Sequence, residues 1–165
     1  MAPRSIDHFS NQELNNIIQN HEARGMTREP RYLDAMAERA RRKGNGLDFE
    51  KSMSLILQAA REKRCLSYKQ LADESGADWG KVHYSIGGHL WDLVKYAHGK
   101  GWPMLSAIVV NQRNLPTGGM DPDTLRGFIE AAKLLGRSIT VAHEQFLVEE
   151  QQRVFAWATS SRIGE

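Results

Sequence analysis

Apolar residues in this chain return every three or four positions through most of its length, and the strings between them are rich in residues that start or stop helices. Ser10 and Glu13 form a capping-box string ahead of Leu14, Ile17, Ile18 and His21, a run that stops at Gly25. A second helix follows Thr27 or Pro30, carries Leu33, Met36, Ala37 and Ala40 as its stripe, and ends at Gly44-Asn45-Gly46. Asp48 caps a third, with Phe49, Met53, Ile56, Leu57 and Ala60 on one face. Leu66-Ser67-Tyr68-Lys69-Gln70-Leu71 then specifies a helix start completely: Ser67 and Gln70 can cap each other's amides, and Leu66 can staple onto Leu71. That helix is brief and ends at Gly76.

Asp78 opens a longer helix in which Val82, Ile86, Leu90, Leu93, Val94 and Ala97 fall on one face. Gly99, Gly101 and Pro103 break it, and Leu105-Ser106-Ala107-Ile108-Val109-Val110 has the apolar, β-branched composition of a buried strand. The irregular stretch Asn111 to Gly119 follows, with a proline that limits any second strand to an edge. Asp121-Pro122 is a cap followed by proline at the first helical position, ahead of Leu125, Phe128, Ile129, Ala132 and Leu135. A last helix begins near Thr140 and runs through Phe146, Leu147, Val154, Phe155 and Trp157. The pattern predicts a mainly α fold with a small β component. Its core is a winged helix-turn-helix at residues 47–120, with Asn111–Gly119 as the wing, an N-terminal helical pair at 1–46, and two C-terminal helices at 121–165 packing on the same core.

The chain has 165 residues and one cysteine, Cys65, so it can form neither an internal disulfide nor a thiolate zinc cluster, and a reducing compartment, the cytoplasm, is expected. No apolar run approaches the roughly 20 residues of a membrane span, and the N-terminus has no apolar signal core. Net charge is only +2, but its distribution is uneven. Arg39, Arg41, Arg42 and Lys43 crowd the end of the second helix, where they complement the helix dipole or form a basic patch for phosphates.

One resemblance rests on Ser67-Tyr68-Lys69-Gln70-Leu71-Ala72, Gly76, Ile86-Gly87-Gly88, a proline and Ile108-Val109-Val110. Their order resembles the DNA-binding half of the O6-alkylguanine-DNA alkyltransferases and of their non-enzymatic alkyltransferase-like relatives. The resemblance implies that the helix bearing Gly87-Gly88 enters the minor groove, that Tyr68 presses on the phosphate of an extruded nucleotide, and that Tyr84 stands where the family has an intercalating arginine. Where the family has Pro-Cys-His-Arg, this chain has Pro103-Met104-Leu105-Ser106, so the nucleophile and its histidine are missing. Alkyl transfer is therefore not expected.

Read physically, Lys81, Tyr84, Ser85, Gly88, Asp92 and Lys95 share the face opposite the apolar stripe, and lysines, hydroxyls and a bare glycine suit a phosphate backbone. Alternatively Gly87 and Gly88 sit against a neighbouring helix and the polar face is solvated. The candidate nucleic-acid contacts are Ser67, Tyr68, Lys69, Lys81, Tyr84, Ser85, Gly88 and Arg113, the last on the expected wing. His83, His89 and His98 do not share a helix face, His143-Glu144 lacks the second histidine of HExxH, and no P-loop or nucleophile-elbow string occurs. No metal, cofactor or catalytic residue is expected. The expected function is non-enzymatic binding of double-stranded DNA, recognising modified or distorted DNA or regulating a DNA-processing locus. The alternative is a phage or mobile-element inhibitor or adaptor that binds a host protein complex through the same scaffold.

Overall fold

The computed structural model describes residues 5–42 and 46–160. Eight α-helices are defined among them: α1 Asn11–Ala23, α2 Pro30–Arg41, α3 Phe49–Arg61, α4 Tyr68–Glu74, α5 Trp79–Val82, α6 Ile86–Gly99, α7 Pro122–Leu134 and α8 His143–Ala158. Two strands of two residues each, β1 Leu66–Ser67 and β2 Val109–Val110, pair in parallel with Leu66 opposite Val109. The protein is mainly helical with a small β component.

Local chemistry accounts for most helix starts. Ser10 and Glu13, and again Ser67 and Gln70, form complete capping boxes, and the Asp48 carboxylate accepts the Lys51 amide at 2.8 Å. Asp121 precedes Pro122 as expected but does not cap, because Arg113 and Asn114 both donate to its carboxylate. The last helix starts at His143 rather than near Thr140.

Two further expectations are corrected. The long helix from Asp78 is interrupted: α5 ends at Val82, and the Ser85 amide and hydroxyl both donate to the Val82 carbonyl, at 2.9 and 3.1 Å, turning the chain before α6 begins. Val82, Ile86 and Leu90 are buried on either side of the break, so the apolar spacing passes through it unchanged. The run Leu105–Val110 is buried apart from Ser106, yet Leu105–Ile108 is a 3-10 helix and only Val109–Val110 is strand. Beyond it, Gln112–Asn114 is another 3-10 turn, and no strand lies in the expected wing.

α1 and α2 enclose a small core of their own around Leu14, Ile18, Tyr32 and Met36, while α3 to α8 share a larger one centred on Ile56, Leu71, Leu93, Ile108 and Val154. The two meet along α6, where Tyr96 touches both. A methyl group on Gly99 would stand 2.4 Å from the Thr27 carbonyl oxygen and 2.6 Å from Leu33, so glycine is what lets the helical pair approach this closely. At the other side of the core, buried Glu150 accepts the Met104 amide at 2.9 Å and a two-pronged ion pair from Arg137 at 2.8 and 2.9 Å. This fastens α8 to the segment that leads into β2. No helix is long and apolar enough to cross a membrane among the described residues.

Candidate nucleic-acid interface

The candidate contacts separate into residues that the fold consumes and residues that it leaves open. Ser67 is fully buried, and its hydroxyl accepts the Gln70 amide at 3.0 Å, so its role is to start α4. Lys69 is exposed and paired with Asp73 one turn on, at 2.9 Å. Arg113 is exposed and engaged by Asp121. The Ser85 hydroxyl faces back onto Val82.

The basic patch is consumed more thoroughly. Arg39 reaches Asn15 at 3.3 Å and buried Asp92 at 3.4 Å, Arg41 pairs with Glu38 and Glu50, and Arg42 binds Glu38, Asn11 and the carbonyls of Asp7 and Phe9. Lys43 lies outside the described residues. These arginines tie α2 to α1, to the N-terminal turn, to α3 and to α6. Asp92, expected on the solvated face of its helix, is turned inward with 3% of its surface exposed.

The open set surrounds the turn into α6. Lys81 is exposed, and Tyr84 projects with 89% of its surface in solvent. Its ring centroid lies 3.9 Å from that of His83, which in turn lies 5.8 Å from Trp79, so three mutually tilted rings follow one another along the turn. Gly87 and Gly88 are exposed, with no atom within 4 Å of where a Cβ would stand, which removes the expected alternative of packing against a neighbouring helix. Their amides, in the first turn of α6, have no hydrogen-bond acceptor among the described residues, because Ser85 does not cap the helix. Comparison with protein-family models, curated proteins and solved structures finds no match.

Tyr68 stands behind this turn, half-buried, and burial pushes its phenol above the usual tyrosine value. Tyr68 and Tyr84 line one cleft of about 610 Å³ between α5–α6 and α7, together with Trp79, Trp91, Ser106 and Leu134. Trp79, Trp91 and Leu134 were not among the candidates drawn from sequence. Leu134 gave the clearest available signal, standing beside Leu135 off the α7 core face, and it is 76% exposed.

Cys65 is half-buried beside Gly118 and Gln151, and burial raises its thiol above the ordinary value, away from nucleophilic character. No group of three His, Cys, Asp or Glu side chains is placed to hold a metal ion among the described residues.

Proposed function

We propose that this protein is a non-enzymatic binder of double-stranded DNA, and that the turn Lys81–Gly88 with the first turn of α6 is the surface that meets it. The observation that carries this reading is Tyr84, almost wholly exposed a few residues ahead of two helix glycines whose Cβ positions meet nothing within 4 Å. Glycine inside a helix costs about 0.5–1 kcal/mol relative to alanine, and neither glycine here relieves a close contact. Bare backbone lets a groove wall or sugar-phosphate strand approach closely, uncapped amides at a helix N-terminus attract phosphate, and Lys81 adds charge beside them.

An exposed aromatic ring backed by two others suits insertion at a weakened base step. Distorted or modified duplex, whose bases unstack more readily, is therefore the preferred target. The succession of α3, β1, α4, the α5–α6 pair and β2, with β1 beside β2, supports a helix-turn-helix core, but one that lacks a β-wing.

Fluorescence anisotropy on plain, mismatched and alkylated duplexes at several salt concentrations tests this reading. Neutralising on the order of five phosphates gives a slope of log affinity against log salt near −4 to −5. Lys81→Ala with Tyr84→Ala should weaken binding at least tenfold while leaving the fold intact. Gly88→Leu should do the same by blocking close approach alone. Unchanged affinity in both variants would remove the interface from α6.

A further inference from the structure

The cleft between α6 and α7 shares Tyr84 and Gly87 with the turn, but adds carboxylates and further rings that DNA contact at the turn does not use. Five aromatic side chains line it, Tyr68, Trp79, Tyr84, Trp91 and Phe128, with the imidazole of His83 beside them, and its helical walls include Gly87 and Gly127, where a Cβ would meet nothing within 4 Å. Its carboxylates are Asp123 and Glu130, both exposed, and no lysine or arginine is among its lining residues. Asp123 lies 3.1 Å from Arg126, which stands outside the cleft, whereas Glu130 has no ion-pair partner among the described residues.

Aromatic faces attract a guanidinium or ammonium through the ring quadrupole, and a carboxylate at the rim offsets part of the cost of removing that cation from water. Exposed Leu134 offers an apolar contact to whatever flanks the cation. A volume of about 610 Å³ suits a few side chains, not a folded element.

We propose that this cleft docks an extended segment of a partner protein, inserting an arginine or lysine side chain between apolar neighbours. The occupant follows from charge complementarity: the carboxylates of the lining are Asp123 and Glu130, Glu130 without an ion-pair partner among the described residues, over rings that favour cations, with Lys95 already lying 5.6 Å over the Trp91 ring. The proposal does not rest on DNA contact, and its test is separate.

The full chain, labelled with ¹⁵N, is titrated with the capped tripeptides acetyl-Leu-Arg-Leu-amide and acetyl-Leu-Glu-Leu-amide and with deoxycytidine. The Gly87 and Gly127 amides and the Trp79 and Trp91 indoles are followed by NMR. The arginine peptide should shift these signals saturably, and the glutamate peptide should bind at least tenfold more weakly. Asp123→Lys with Glu130→Lys, both exposed on α7, should weaken the arginine peptide at least tenfold, and Gly127→Leu should abolish it by filling the cleft. Equal binding of the two peptides, no response to the arginine peptide, or a response to deoxycytidine alone overturns the proposal. So does unaltered peptide affinity in the lysine variant. Duplex binding by Lys81→Ala, a residue outside the cleft lining, measured by anisotropy, reports on the DNA reading separately.

Discussion

The end of α2 and the turn into α6 both attract attention in the sequence, the first for its cations and the second for its glycines and tyrosine, and the fold uses them in opposite ways. Arg39, Arg41 and Arg42 point at acceptors inside the molecule, so three of the four residues of the most basic string contribute to internal cohesion. The α6 turn has fewer charges but leaves its ring, its bare backbone and its amides facing outward. Clustered charge is therefore a poor guide to an interface when acceptors lie within reach. Polar and apolar groups that the fold does not employ are a better one.

If that division is right, substitutions among internally employed groups should damage stability, and substitutions at the turn should spare it. The largest effect is expected at Arg137. Burial pushes the Glu150 carboxyl up, but hydrogen bonds from Arg137 and the Met104 amide, with the charges of Arg137 and Arg153, outweigh it and hold the group below the usual carboxylate range. A folded-state value below the unfolded one means the contribution is complete above the unfolded carboxyl's range. It is lost as pH falls through the lower folded value. Arg137→Ala leaves Glu150 buried without its main partner and should cost about 3–5 kcal/mol at neutral pH. Urea denaturation should show that deficit narrowing in acid, where Glu150 protonates. A deficit independent of pH would mean that packing, not charge, is what was lost.

Next in size is Gly99→Ala, whose methyl would meet the Thr27 carbonyl and Leu33 at 2.4 and 2.6 Å. Overpacking of this kind costs about 1–3 kcal/mol. Because the contact joins the helical pair to α6, hydrogen exchange should rise first in α1 and α2. Arg42→Ala removes bonds to Glu38, Asn11 and two carbonyls and should cost about 1–2 kcal/mol, read by thermal denaturation. DNA affinity should change little. A large loss of affinity with little loss of stability would restore the end of α2 as a binding patch and break the comparison.

The helix starts were legible because capping is local: Ser10 with Glu13, Asp48, and Ser67 with Gln70 need only the next three residues. The break at His83–Ser85 was not, since Val82, Ile86 and Leu90 keep their spacing through a turn that itself advances the chain by a helical step. A 3-10 turn buried but for one residue has the same apolar composition as a buried strand, which is why Leu105–Ile108 reads as strand in the sequence. The inward turn of Asp92 depended on Arg39, 53 positions away. For the candidate interface, Lys81, Tyr84 and Gly88 were visible as a polar face, whereas the cleft needed α7 laid beside α6, a tertiary fact that no window of sequence contains.

The smallest effect is the one that most sharpens the comparison. Gly88→Ala adds a methyl where nothing lies within 4 Å, in a helix whose backbone alanine restrains better than glycine does. It should stabilise the protein by about 0.5 kcal/mol, the opposite sign from the same substitution at Gly99 in the same helix. If the bare backbone exists for close approach, this slightly more stable variant should also bind duplex DNA several-fold more weakly. Stability and affinity moving in opposite directions would identify Gly88 as held by function. Affinity that stays constant while stability rises would mean that the exposed glycine serves no DNA contact, and Tyr84 would then belong to the cleft alone.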